Sequence, residues 1–383
     1  MNILFVNHTS KFSGAELVLR DYLNQSNDFY KLVILPPGPF ADILRSDGIP
    51  LIEARGISEL NRKKNKLWIF YFIKRYVTFN LQLLKILISN NIDIIYCNTF
   101  TSAIYCFVIS KIMKKPIIWH MHDIFPENSI ESKVAKILGK YSNRIIAVSN
   151  AVKRYLISLE INPDKIEVIY NGIDFENKFN PSNYKKLKSD TKRKVIITMV
   201  GLLTEWKGFH ILLEAIGLLE NEIKNSIEVR IVGDNWEGEE YKNTLYKIVE
   251  KHNLNNIVKF LGRRTDIPEI FNESDVVIHA SIWEDPLPTV ILEAMSMCKI
   301  VVASKIGGVP EIIINGKNGF IFEPNNIKEL ALLLNEIVPN LQRNKEHYNY
   351  LVNNARKTIV EKFNPKHKKR KLYKVYETIL SKY

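Results

Sequence analysis

The sequence predicts two doubly wound α/β domains in tandem. Three observations carry that prediction: a length of 383 residues, a repeated alternation of short apolar runs with helix-period stretches, and one polar interruption near the middle. A chain this long exceeds what one ordinary core organises, since domains of about 100–200 residues are the norm. Apolar residues make up 46% and charged residues 25%, which is globular composition and excludes a largely disordered chain.

The elements follow in order. In the first half, strands are expected at Asn2–Val6, Lys31–Leu35, Asp93–Cys97, Pro116–Trp119, Arg144–Val148 and Ile166–Ile169. In the second half they are expected at Lys194–Val200, Glu228–Val232, Val258–Phe260, Val276–His279, Ile300–Ala303 and Gly319–Phe322. Between them, Glu16–Leu23, Leu81–Asn90, Phe209–Leu219 and Thr289–Met297 carry apolar residues at i, i+3 and i+4. Strands this apolar, separated by helices, read as parallel sheets buried on both faces. The stretch Phe175–Arg193 is rich in Asn, Lys and Ser and lacks periodicity, so it reads as a linker. The expected division is a first domain over 1–174, a linker over 175–193, a second domain over 194–362, and a basic helix over 363–383.

Three cysteines (Cys97, Cys106, Cys298) give neither a disulfide framework nor metal-ligand spacing, and suit a reducing compartment. The opening MNILFVNHTS reads as a first strand rather than a signal peptide. The apolar run Leu67–Ile73 is far shorter than the ~20 residues of a membrane span. A cytoplasmic protein is therefore expected.

The net charge of +13 is unevenly placed: residues 1–190 carry +9, and seven bases without an acid lie between Lys362 and Lys374. No nucleic-acid recognition motif accompanies this basicity. An anionic membrane surface, an anionic substrate or a solubilising role all fit it. Arg62, Lys63, Lys64, Lys66, Lys74 and Arg75 cluster around Trp68, Phe70, Tyr71, Phe72 and Tyr76. That mixture suits peripheral contact with anionic lipid, on the inner face of the plasma membrane, or a helix whose aromatic side packs on the first sheet.

Chemistry concentrates in Ser281–Ile314. After the strand Val276–His279, Pro286 and Pro288 stiffen a loop, and a helix starting near Thr289 offers free backbone N–H groups to an anion. Asp285 and Glu293 are placed to face one ligand, and carboxylates suit sugar and ribose hydroxyls. Gly307-Gly308 allows close backbone approach.

The run from Asp285 to Glu293-Ala-Met, followed by a strand and Gly307-Gly308-Val-Pro-Glu311, resembles the signature of the family 4 glycosyltransferases of the GT-B fold. Asp285 stands where the family has its first glutamate. Ser10–Leu23, Ala147–Asn150, Val168–Asp174 and Val200–Gly208 resemble further family segments, so the likeness covers nearly the whole chain. It implies two Rossmann-like domains facing across a cleft, with the C-terminal helix crossing back to the first. It also implies a retaining, metal-independent transfer of a sugar from a UDP- or GDP-linked donor to a saccharide or lipid-linked saccharide, in cell-surface polysaccharide synthesis. No cofactor is implied.

By resemblance, His122, Lys207 and Asp285 are the catalytic residues, with Asp285 on the donor sugar and Lys207 on the diphosphate. His120 and a purely structural role remain alternatives to His122. Gly14, beside the acceptor-side wall, joins Gly201, Lys207, Arg263, Leu287, Pro288, Thr289, Val290 and Glu293 as donor-binding, Glu293 meeting the ribose. Leu202 occupies the family's arginine position, and Arg263 or Arg264 could supply the missing charge. The two departures, Leu202 and Asp285, motivate a rival reading as a catalytically weak or inactive scaffold subunit of a polysaccharide-assembly complex. An epimerase of the same fold would not explain the signature, and no G-x-G-x-x-G supports a dinucleotide dehydrogenase.

Overall fold

The computed structural model describes residues 1–11, 14–26, 28–57, 68–185, 193–234 and 239–382. The chain forms two compact units: Met1–Gly172 together with Pro365–Tyr383, and Ile173–Asn364.

The first unit is built on a parallel sheet of seven strands: β1 (Asn2–Val6), β2 (Tyr30–Leu35), β3 (Leu51–Glu53), β4 (Ile94–Cys97), β5 (Ile117–Met121), β6 (Arg144–Ala147) and β7 (Ile166–Val168). Their spatial order is β3-β2-β1-β4-β5-β6-β7. The second unit repeats the plan with β8 (Val195–Val200), β9 (Ile227–Val232), β10 (Val258–Gly262), β11 (Val276–His279), β12 (Ile300–Ser304) and β13 (Phe320–Phe322), ordered β10-β9-β8-β11-β12-β13. The strands read as near-continuous apolar runs because helices cover both sheet faces. Each sheet reverses its winding once, between β1 and β4 and between β8 and β11. Open α/β sheets bind ligands beyond the carboxyl ends of the strands at such a point.

The doubly wound expectation thus describes each unit, and the C-terminal helix Pro365–Leu380 does return to the first one. Its Leu372, Val375, Tyr376 and Ile379 are buried in a core shared with Phe5, Leu23 and Tyr96. The Tyr22 hydroxyl donates to that of Tyr376 across 3.0 Å. Burying an aliphatic or aromatic side chain contributes roughly 1.5–3 kcal/mol, so this seam fixes the returning helix.

The structure corrects three expectations. The short strand β3 was not anticipated, because three residues, none of them fully buried, leave little pattern. Phe175–Arg193 is not a simple linker: its described part belongs to the second unit, with Phe175 and Phe179 buried. Arg356 ties that segment down by donating to the Phe175 carbonyl at 3.2 Å, and Ser296 donates to the Phe179 carbonyl at 2.8 Å. Both partners lie more than a hundred residues away, beyond any local reading. The aromatic stretch is divided as well. In the helix Trp68–Ser89, Phe72, Tyr76 and Phe79 pack their rings around Tyr105, whereas Phe70 and Tyr71 are exposed. Arg62, Lys63, Lys64 and Lys66 lie outside the described residues. Among those described, no helix is long and apolar enough to cross a membrane.

Candidate functional site

In the second unit, two loops meet at the point where the sheet reverses. The loop after β8 contains Gly201, Leu202 and a 3₁₀ turn, Glu205–Lys207. The loop after β11 contains Asp285 and leads through Leu287 and Pro288 into the helix Thr289–Ser296. The N–H of Ile282 donates to the Trp206 carbonyl at 2.8 Å, joining the two loops. Gly208, in the left-handed region at φ 76°, passes so close that an added Cβ would lie 1.9 Å from the Ala280 carbonyl oxygen.

This arrangement brings together Lys207 and Asp285. Lys207 Nζ donates to Asp285 Oδ2 at 2.7 Å, and His279 Nε2 lies 3.1 Å from the same oxygen. Asp285 is almost fully buried, and burial opposes its charge, but Lys207 and His279 prevail and hold its carboxyl below the usual range. Lys207 Nζ also sits 4.0 Å from the centroid of the Trp206 ring, a cation–π contact. His279 was not singled out from the sequence. A polar residue closing the buried strand Val-Val-Ile-His was the available signal. Burial lowers the basicity of its imidazole, and Asp285 works against that.

Thr289, Val290 and Glu293 share the helix that follows Asp285, whose N-cap is Pro288. Pro288, at the N-cap, contributes no side-chain cap, and the first turn of a helix is where backbone amides meet an anion. Thr289 and Glu293 stand four residues apart and so share a face. Leu287 and Pro288 are buried, and Val290 and Glu293 are half-buried.

The double glycine does something more specific than leave room. Gly307 has φ 55°, and a Cβ there would lie 2.0 Å from the Asp285 carbonyl oxygen. The N–H of Gly308 donates to that oxygen at 2.9 Å. These glycines therefore seat the backbone carrying Asp285. Gly307→Ala is expected to lower unfolding stability by more than the ~1–2 kcal/mol that positive φ alone costs, because Asp285 must also shift. Chemical denaturation checks this; an unchanged midpoint would contradict the packing. Gly201 differs, since a Cβ there would meet the Phe209 ring at 3.7 Å and Lys207 Cδ at 3.9 Å, ordinary contact distances.

Arg263 is exposed after β10, the edge strand, two strands away from β8. Arg264 is engaged by Asp266, with Nε donating to Oδ1 at 2.8 Å. Gly14 and His122 belong to the first unit. Gly14 opens the helix Gly14–Gln25, and His122 follows β5. The reversal of the first sheet carries Asn7 and Asn98, linked at 3.0 Å, with Asn7 also donating to the buried Glu16 at 3.0 Å. His120 and His122 stack with centroids 4.0 Å apart, and the Tyr96 hydroxyl meets His120 Nδ1 at 2.7 Å. Nε2 of both histidines is buried without a hydrogen-bond partner. Burial, then the Lys368 charge, push His122 down to about 3, so its imidazole is neutral near pH 7. Burial and Glu16 raise Asp123 to about 6. Among the described residues, no three His, Cys, Asp or Glu side chains gather as a metal site would require.

The geometry offers a lysine, helix amides and carboxylates at one switch point, a set suited to a phosphorylated, hydroxyl-rich ligand. The family model "Glycosyl transferases group 1" matches residues 180–358, and "Glycosyltransferase Family 4" matches residues 30–177. A UDP-Gal:α-D-GlcNAc-diphosphoundecaprenol α-1,3-galactosyltransferase of Escherichia coli is 30% identical over 302 residues, 74% of this chain and 75% of that one. The chain belongs to the family 4 glycosyltransferases.

An uncharacterized glycosyltransferase of Methanocaldococcus jannaschii shares 28% identity with this transferase over 76% of each chain. Among solved structures, the Anabaena protein HepE in complex with UDP superposes with a TM-score of 0.84 at 28% identity, covering 99% of this chain and 100% of that one. This transferase therefore has the GT-B fold.

Proposed function

We propose that this transferase moves a sugar, with retention at its anomeric carbon, from a nucleoside diphosphate donor to a lipid-linked or free saccharide in the synthesis of a cell-surface polysaccharide. The observation that carries the reading is the Lys207–Asp285 pair at the reversal of the second sheet, next to the N-terminus of the helix Thr289–Ser296. Cleaving the donor leaves a diphosphate, and charge that grows on it is stabilised by preorganised positive groups. Lys207 and the amides of the first turn from Thr289 provide these without a metal or other cofactor. Asp285 and Glu293 accept hydrogen bonds from the hydroxyls of the sugar and the ribose. In the first unit, neutral His122 supplies a hydrogen-bonding group to the sugar. The E. coli relative's UDP-galactose donor and lipid-diphosphate acceptor support a UDP-linked donor and a lipid-linked acceptor here.

The test is nucleotide release from UDP- and GDP-sugars, with and without saccharide acceptors, in EDTA. Turnover of one donor that persists in EDTA is expected. Loss of activity that magnesium or manganese restores overturns the metal-free part. Tight donor binding without turnover on any acceptor would favour the scaffold reading that Leu202 invites.

A further inference from the structure

The helix Trp68–Ser89 is apolar on more than the side it buries. Phe79, Leu83, Ile86 and Leu87 are in the core. On the opposite side, Phe70, Lys74, Val77, Leu81, Lys85 and Ile88 follow one another at steps of three or four, so they form a single row along the helix. All six are exposed, and the four apolar members keep 50–65% of their surface in solvent. From Phe70 to Ile88 the row runs about 27 Å along the helix. The neighbouring helix Phe100–Ile112 continues the surface with exposed Val108 and Ile112 beside Lys111. The next, Ile130–Tyr141, adds exposed Ile137 and Tyr141, the latter ring packed on Phe107. An apolar face on this scale is uncommon on a surface that stays in water.

We propose that this helix face is a docking surface for an anionic lipid bilayer, on which the first unit lies without spanning it. Charge selects the occupant. Trp68–Ser89 and Phe100–Ile112 contain no acidic residue and Ile130–Tyr141 contains one, Glu131, while Lys74 and Lys85 stand within the apolar row itself. A second copy of the chain docking through the same row would set lysines against lysines with no carboxylate to answer them. A bilayer answers both features: apolar side chains enter the headgroup boundary while the lysine stems lie along them and the ammonium groups reach lipid phosphates. The inference rests on the lipid-linked acceptor proposed above for its purpose, since docking would bring that acceptor to the first unit.

Co-sedimentation of the full chain with phosphatidylglycerol/phosphatidylcholine vesicles, compared with phosphatidylcholine alone, tests it. Salt-sensitive binding to the anionic vesicles is expected, at least tenfold tighter than to the neutral ones. Lys74→Gln with Lys85→Gln should weaken it about fivefold for each lysine, about 25-fold together. Phe70→Ser with Val77→Ser should also weaken it; these sites are exposed, and circular dichroism checks the fold. Wild-type affinity in both variants, or no binding by the native chain, overturns the proposal, as does a native dimer that the row variants convert to monomers. Turnover with a water-soluble acceptor, measured in parallel, is expected to be unchanged by the row variants. Failure of that turnover in the native chain counts against the proposed reaction and leaves the vesicle result to judge the docking.

Discussion

Lys207→Ala is expected to lower kcat by about 10²–10³-fold, the loss seen when one preorganised group facing developing charge is removed. Donor affinity should change less, because the interaction strengthens as the diphosphate departs. Lys207 Nζ is held 2.7 Å from Asp285 Oδ2 and is only partly exposed, so it is already placed when donor arrives. The substitution also leaves Asp285 buried with His279 as its one remaining partner in this cluster. Removing one member of a buried pair typically costs about 3–5 kcal/mol, so unfolding must be measured beside turnover. Lys207→Arg separates the two effects: it keeps the charge and should restore most stability while recovering only part of kcat. The pair has a pH signature too. Asp285 titrates lower in the folded protein than in the unfolded one, so it contributes stability above about pH 4 that is lost on further acidification. Lys207→Ala should shrink that acid-dependent loss. A folded Lys207→Ala enzyme with native kcat would remove Lys207 from the chemistry.

Glu293→Ala should weaken nucleotide binding and kcat/KM together, by ten- to over a hundredfold. Hydrogen bonds to charged groups contribute roughly 1.5–3 kcal/mol, which is that range. Glu293 is half-buried, one turn beyond Thr289, on the helix that starts at the sheet reversal. From there a carboxylate can meet a ribose while the first-turn amides meet phosphate. Because a ribose contact is made before and during reaction alike, the loss should appear chiefly in Kd for UDP or GDP and in KM. Calorimetric titration of the nucleotide checks this. Unchanged affinity in a folded variant would assign Glu293 to structure instead.

The two predictions draw on different kinds of information. Glu293 and Asp285 are visible in the sequence because their setting is local: a buried strand, a proline-stiffened loop and a helix start, all within twenty residues. The alternating strands and helices are legible for the same reason, since parallel strands covered on both faces must be apolar along their whole length. The returning C-terminal helix was implied by the family resemblance, while its seam of Leu372, Val375, Tyr376 and Ile379 required the folded core. Composition placed Phe175 and Phe179 in a linker; Arg356 and Ser296 place them in the second unit.

What the sequence determined by itself is the α/β class, the family and the residue types that face a phosphorylated sugar. What only the tertiary structure decided is which of them meet. Lys207 and Asp285 are 78 positions apart and come together because β8 and β11 are neighbours where the sheet reverses. Gly307 is set against Asp285, and His279 shares its carboxylate, through contacts with no local signal. The same holds for the helix Trp68–Ser89, whose apolar residues are alike in sequence but are sorted by the sheet into a core side and an exposed side. Periodicity is written in neighbouring residues, whereas strand order and burial depend on which distant segments exclude water from one another.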